Sequence, residues 1–139
     1  MITKATFVNG GKNGAYITWE LAKTIIPVYF LITFLKYTPV LGWIAQHFAP
    51  IMAVFGLPGD ASLPLVLGNV LNPYFALAAI IPLDLTGKEI TILSTMLLLS
   101  HSLFVETAIN KKTGIKVKGI IVLRLGSAII AGIMLNLFL

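Results

Sequence analysis

Six polar side chains interrupt strongly apolar sequence, and their types and spacing could support chemistry: Asp60, Asn69, Asn72, Ser100, His101 and Glu106. Carboxylate, amide, imidazole and hydroxyl groups are costly at hydrocarbon depth unless they are paired or hold something. Together they predict contacts to a small polar solute or an ion.

Glu106 is the first candidate, because a charged carboxylate at the centre of a spanning helix costs about 2.5–3.5 kcal/mol. Two interpretations stay open. Glu106 forms a structural ion pair with Arg124 or with a lysine of the 111–118 loop, or it contacts a substrate, an ion or a proton.

His101 lies deeper in the same apolar run, beside Ser100. A neutral imidazole that bonds a neighbouring helix is one interpretation, and a proton relay or solute contact is the other. Ser100 can bond a carbonyl one turn earlier, which would give it a purely local role.

Three further candidates lie in a segment rich in glycine and proline. Asp60 either caps the half-helix that begins near Ser62 or contacts a ligand or cation. Asn69 and Asn72, three residues apart beside Gly68, either line a polar site or hydrogen-bond between helices.

The sequence lacks a phosphate-binding glycine loop, a convincingly spaced Ser–His–Asp set and a metalloprotease motif. We therefore expect no enzymatic activity and no cofactor. His47, His101, Asp60 and Glu106 could form a metal site only if the fold brought them together, so none is expected.

Composition places these residues in a membrane protein. The chain has 139 residues, of which 58% are hydrophobic and 11% charged, and its mean hydropathy is +0.96. Soluble domains are about a quarter charged. This composition excludes an ordinary soluble enzyme, a nucleic-acid binder and a disordered chain.

We predict an all-α polytopic membrane protein that forms one domain over residues 1–139, with about three to five membrane segments. A flexible polar stretch opens the chain, a broken or re-entrant hairpin lies in its middle, and spanning helices close it. The predicted elements are residues 1–16 (flexible), 17–37 (span), 40–55 (half-helix), 56–73 (broken segment), 74–81 (short helix), 88–110 (span) and 119–139 (span).

Lysines set the expected orientation, because cytoplasmic loops are enriched in basic residues. Residues 111–118 contain four lysines. We expect this loop on the cytoplasmic side of the cell membrane and the C-terminus outside; Lys36 leaves the orientation of the N-terminus open.

The broken segment GLPGDASLPLVLGNVLNPY, the block SHSLFVETAINKKTG (100–114) and the glycine-rich span opened by Arg124 together resemble the Gate, or "nucleoside recognition", family of membrane proteins. That family includes spore maturation proteins, with related segments in concentrative nucleoside and ferrous-iron transporters. The glutamine–threonine–glutamate hairpin motif of those nucleoside transporters is absent here.

The resemblance implies a membrane transporter of a small polar solute, such as a nucleoside or similar metabolite. Its site would include Asn69, Asn72, Ser100, His101 and Glu106. The chain would act as a homo-oligomer or beside a related Gate-domain subunit. The alternative is a membrane scaffold or assembly factor of the spore-maturation type that transports nothing.

Overall fold

The computed structural model describes residues 4–112 and 117–139, which form helices joined by short turns with no strand among them. This confirms the predicted all-α class. The elements are α1 (Lys4–Lys36), α2 (Pro39–Ala53), a 3-10 turn (Gly59–Ala61), α3 (Ser62–Val70), α4 (Pro73–Ile80), α5 (Gly87–Ser100), α6 (Leu103–Lys112) and α7 (Val117–Phe138).

Three stretches of the described chain are long and apolar enough to cross a membrane: Thr6–Lys36, Gly87–Lys111 and Val117–Phe138. The second contains both α5 and α6. Large apolar side chains on these stretches are exposed, as lipid-facing residues are; Leu98, Val122 and Leu123 are examples. Helix α7 covers most of the predicted closing span and is one of these three candidates.

The opening stretch differs from the prediction of a flexible polar segment over residues 1–16. From Lys4 onward it belongs to α1, a continuous helix of 33 residues. The physical reason is that Phe7, Val8 and Tyr16 lie within the polar stretch, next to the apolar run. The helix of that run can extend into the polar stretch, because each residue added to a formed helix gains one backbone hydrogen bond. The glycines there reduce helix propensity without ending the helix.

A broken helical hairpin occupies the middle of the chain, as predicted. After α2 the chain turns at Gly56, whose φ of 66° suits glycine. It then passes through the 3-10 turn into α3, and α3 packs against α4. Gly59 brings the turn against α2, because a Cβ there would lie 1.8 Å from the Ala45 carbonyl oxygen.

The predicted continuous helix over residues 88–110 is wrong at one point. It ends at Ser100 and restarts at Leu103, and Ser102 has a φ of 55°. Left-handed backbone is unfavourable for a serine. Contacts from other elements hold this interruption, as described below.

Two apolar clusters position the hairpin. One joins α5 and α7 to the 3-10 turn, with Ile92 and Leu93 fully buried. The other joins α1 to α4 around Ile32 and Ala79. The hairpin therefore lies between the first and the last membrane helices.

Candidate functional site

The interruption between α5 and α6 is the first polar feature of the site. His101 has extended backbone, with φ −62° and ψ 158°, and its N–H still bonds the Leu97 carbonyl oxygen at 2.8 Å. The Ser102 N–H instead donates to the carbonyl oxygen of Gly68 at 2.9 Å. One backbone hydrogen bond thus joins the broken membrane helix to the hairpin.

Arg124 of α7 satisfies two carbonyl groups at the interruption. Its Nε donates to the Leu99 carbonyl oxygen at 2.8 Å, and its Nη2 donates to that of His101 at 3.1 Å. Its Nη1 forms an ion pair with Glu106 Oε2. Broken backbone at membrane depth is tolerated where protein groups satisfy it, and one guanidinium does so here.

Glu106 therefore contacts Arg124, the partner that the structural interpretation named. The pair ties α6 to α7. The Arg124 side chain is 17% exposed and that of Glu106 37%, so water or a ligand can still reach the carboxylate.

Gly68 makes this junction possible because α3, α4 and α5 meet there. A Cβ at Gly68 would lie 2.4 Å from Leu97 Cδ2 and 2.9 Å from Ala76 Cβ. Glycine lets the α3 backbone approach α5 closely enough to accept the bond from Ser102.

Two predicted site residues have local structural roles. Asn72 caps α4, because its Oδ1 accepts hydrogen bonds from the N–H groups of Tyr74 and Phe75 at 2.9 and 3.4 Å. The expectation that Asn72 lines a polar site or bonds another helix stays a prediction. Ser100 is 1% exposed, and its Oγ donates to the Met96 carbonyl oxygen at 2.8 Å.

The hairpin contains the second polar feature, a set of buried oxygens without partners. Asp60 Oδ1, Ser62 Oγ and Asn69 Oδ1 are all inaccessible to solvent, and within the described part of the chain they accept or donate no hydrogen bond. Asp60 lies within the 3-10 turn, and neither that turn nor α3 has a side-chain cap. Both interpretations of Asp60, a cap of the half-helix or contact with a ligand or cation, stay predictions.

An open cavity of about 290 Å³ separates α4 from α5. Its walls are mostly apolar, with Tyr74, Ser94 and His101 as the polar lining residues. The Nδ1 of His101 contacts Ser102 Oγ at 3.3 Å. His101 thus lies between the interruption and this cavity.

Sequence reasoning missed Ser62, Gly68 and Ser102. Ser62 is 3% exposed with an unpaired hydroxyl, but a serine at a helix start looks like an ordinary cap. The polar run of residues 100–102 was a usable signal for the interruption. Among the described residues, no three His, Cys, Asp or Glu side chains come together as metal ligands, and His47 bonds the Trp43 carbonyl oxygen of its own helix.

These features define a class: a polytopic α-helical membrane protein in which an interrupted membrane helix meets a broken hairpin. The chain belongs to the Gate family, described as "nucleoside recognition", whose model matches residues 18–116. This confirms the resemblance seen in the sequence.

Two curated relatives are membrane proteins. The chain is 43% identical to the "Uncharacterized membrane protein YvoD" of Bacillus subtilis (strain 168) over 134 residues, which cover 96% of this chain and 43% of that protein. It is 31% identical to the "Inner membrane protein YjiG" of Escherichia coli (strain K12) over 93 residues, 63% of this chain and 60% of that protein. The chain thus spans less than two thirds of the length of either relative. No solved structure matches it significantly.

Proposed function

We propose that this protein transports a small polar solute across the membrane, and that the solute binds the unpaired oxygens of the hairpin. The observation that carries the proposal is the set Asp60 Oδ1, Ser62 Oγ and Asn69 Oδ1, which are buried and lack partners. They lie in the broken segment, and interrupted segments are where transporters place their binding sites.

Energetics support a ligand at these atoms. A buried polar group without a hydrogen bond costs about 1–3 kcal/mol, and native proteins keep few of them without a reason. A solute with hydroxyl or amine donors would satisfy Asp60 and Asn69, while the Ser62 hydroxyl can either donate or accept.

A nucleoside or similar metabolite fits this donor requirement, because ribose hydroxyls and base amines donate hydrogen bonds. The family's description as "nucleoside recognition" is consistent with that choice. We propose binding and transport without covalent chemistry, and without a cofactor.

We further propose that a second polypeptide completes the pathway, either another copy or a related Gate-domain subunit. The aligned part of YvoD is 43% of that protein, so more than half of the relative lies beyond the region shared with this chain. A pathway enclosed by two polypeptides would resemble that of transporters built from internal repeats, whose binding site lies between the repeats.

The proposed orientation places the lysine loop in the cytoplasm and the C-terminus outside. Lys111 and Lys118 are the first and last residues of this predicted loop, of which residues 113–116 lie outside the described part of the chain. The proposed location is the cell membrane, in agreement with the names of the two relatives.

Uptake by proteoliposomes tests the transport proposal. The full chain is reconstituted and offered a panel of radiolabelled nucleosides, alone and with a sodium or proton gradient. Asn69→Ala should abolish uptake of any transported nucleoside. The matched control is Asn13→Ala, which removes the same group from an exposed position of α1. Equal uptake by both variants would contradict the proposal.

A scaffold or assembly factor remains the second candidate, because Arg124 and Glu106 are used in contacts that fix three elements. A scaffold needs no ligand. Its thermal midpoint should not change with any nucleoside in the panel, whereas a transporter should be stabilised by the nucleoside that it binds.

A further inference from the structure

Helix α6 completes a membrane span but is packed far less than the helix that precedes it. Helix α5 has five buried residues, among them Ile92 and Leu93, whereas none of residues 103–111 is buried. Both helices belong to the candidate span Gly87–Lys111. A segment with few buried apolar side chains opens at a lower free energy than the core of the same protein. We therefore expect α6 to move more readily than α5.

The interruption at His101 and Ser102 lies where such a movement needs a hinge. The His101 N–H still bonds the Leu97 carbonyl oxygen of α5, and the Glu106 N–H bonds the Ser102 carbonyl oxygen in the first turn of α6. Between these bonds the backbone is extended at His101 and left-handed at Ser102. Hinges are a few residues at the ends of elements that absorb changes in φ and ψ. Helix α6 can therefore change direction here while both helices keep their internal hydrogen bonds.

Two polar contacts hold α6 in the position that the structure shows. The Ser102 N–H donates to the Gly68 carbonyl oxygen of α3 at 2.9 Å, and Glu106 forms its ion pair with Arg124 of α7. Arg124 also bonds two backbone carbonyl oxygens, one at the end of α5 and one at the interruption. These two bonds do not involve α6, so they can remain when Glu106 moves away.

We propose that α6 is a hinged arm that swings about Ser102, and that the Glu106–Arg124 ion pair is the latch that holds the arm closed. The closed position is the one in this structure. Opening separates Glu106 from Arg124 and moves α6 away from α3. Arg124 keeps its backbone contacts in both positions, so the broken backbone stays satisfied at membrane depth.

The arm lies beside the end of α3 that contains Asn69. Helix α6 packs against α3, and Gly68, which accepts the bond from Ser102, directly precedes Asn69. The Asn69 Oδ1 is buried without a partner among the described residues. Opening of the arm would therefore uncover this end of the hairpin. The arm does not depend on the proposed function, since a scaffold with the same hinge and latch would move in the same way.

Distances between spin labels test the arm, because the chain contains no cysteine of its own. The pair Ile90→Cys and Ile109→Cys carries one label on α5 and one on α6, both at exposed positions. The pair Ile90→Cys and Val122→Cys is the matched control, because a buried cluster that includes Ile92 and Ala128 joins α5 to α7. Double electron–electron resonance on the full chain in lipid nanodiscs measures both distances.

Glu106→Gln removes the charge of the latch and nearly keeps the size of the side chain. In this variant the α5–α6 distance should shift by several ångström or spread over a wider range, whereas the α5–α7 distance should stay the same. Glu106→Asp keeps the carboxylate and should retain more of the closed position. Glu20→Gln is the control variant, because it weakens an exposed ion pair with Lys23 on α1 and should leave both distances unchanged.

An α5–α6 distance that stays the same in Glu106→Gln would overturn the proposal. Equal changes in both distances would also overturn it, since Glu106 would then hold the whole fold rather than α6. These outcomes are separate from transport. A protein that carries no nucleoside but shows the shift in α6 alone would keep the arm and contradict only the proposed function.

Discussion

The two backbone interruptions of this molecule differ in whether their polar groups have hydrogen-bond partners. At the α5–α6 interruption, Arg124 and Gly68 provide partners for the Leu99 and His101 carbonyl groups and for the Ser102 N–H. At the hairpin, Asp60 and Ser62 bury oxygens that have no partner among the described residues.

This contrast separates architecture from binding. A satisfied interruption needs nothing further and fixes the relative positions of α5, α6 and α7. An interruption with unpaired polar groups keeps a free-energy cost, and a water or ligand that hydrogen-bonds those groups can remove it. We therefore expect changes at the first to reduce stability, and changes at the second to reduce transport while leaving stability nearly unchanged.

The largest effect is expected from Arg124→Ala. It leaves two carbonyl groups and Glu106 without partners, so the free energy of unfolding should fall by about 2–4 kcal/mol. Thermal unfolding in detergent measures this loss. Lys23→Ala is the control, because its pair with Glu20 is exposed on α1 and should change stability by less than about 1 kcal/mol. Equal losses in both variants would place Arg124 among ordinary surface residues.

Gly68→Ala should be the next most damaging change. The added Cβ meets Leu97 and Ala76 at distances shorter than van der Waals contact, and overpacking of this kind costs about 1–3 kcal/mol. Gly42→Ala places the same methyl group on α2 with nothing within 4 Å. It should be neutral or stabilising, since alanine favours helix. A Gly68 variant as stable as the Gly42 variant would show that this close approach is not needed.

Serine-to-alanine changes compare the two interruptions directly. Ser100→Ala removes a made hydrogen bond and should cost about 1 kcal/mol. Ser62→Ala removes an unpaired hydroxyl, so stability should stay the same or rise, and uptake should fall. Paired thermal and proteoliposome measurements separate the outcomes. Loss of stability in Ser62→Ala with unchanged uptake would contradict the proposal that Ser62 binds the solute.

The smallest effect is expected from Ser102→Gly. The φ of 55° at Ser102 is unfavourable for a residue with a Cβ, so glycine should stabilise the interruption by up to about 1 kcal/mol. Ser127→Gly is the control inside α7, where glycine lowers helix propensity and should destabilise by a similar amount. A lower melting temperature for Ser102→Gly would show that its side-chain contact with His101 matters more than its backbone strain.

The sequence predicted the membrane class and the broken hairpin, because both rest on simple patterns. Low charge, long apolar runs and the spacing of Gly56, Pro58 and Pro64 are visible without coordinates. The α5–α6 interruption was harder to predict, since no proline or glycine marks it. It depends on Gly68 and Arg124, which lie far away in the chain and reach it only after folding.

The candidate site was also predictable only in part, because some of its features depend on contacts that form only after folding. Asp60 and Asn69 stood out as polar residues in an apolar segment, whereas the capping role of Asn72 follows from the start of α4 at Pro73. That the Ser62 hydroxyl has no hydrogen-bond partner among the described residues can be seen only in the folded structure.

The most direct test of the account is native mass spectrometry of the protein purified gently in detergent, compared with the double variant Ser62→Ala/Asn69→Ala. We predict that the unaltered protein retains a small polar molecule, identifiable by its mass after release, and that the folded double variant loses it. Retention of the same molecule by both proteins would contradict binding at the hairpin oxygens, and so would a bare unaltered protein that stays bare when nucleosides are added.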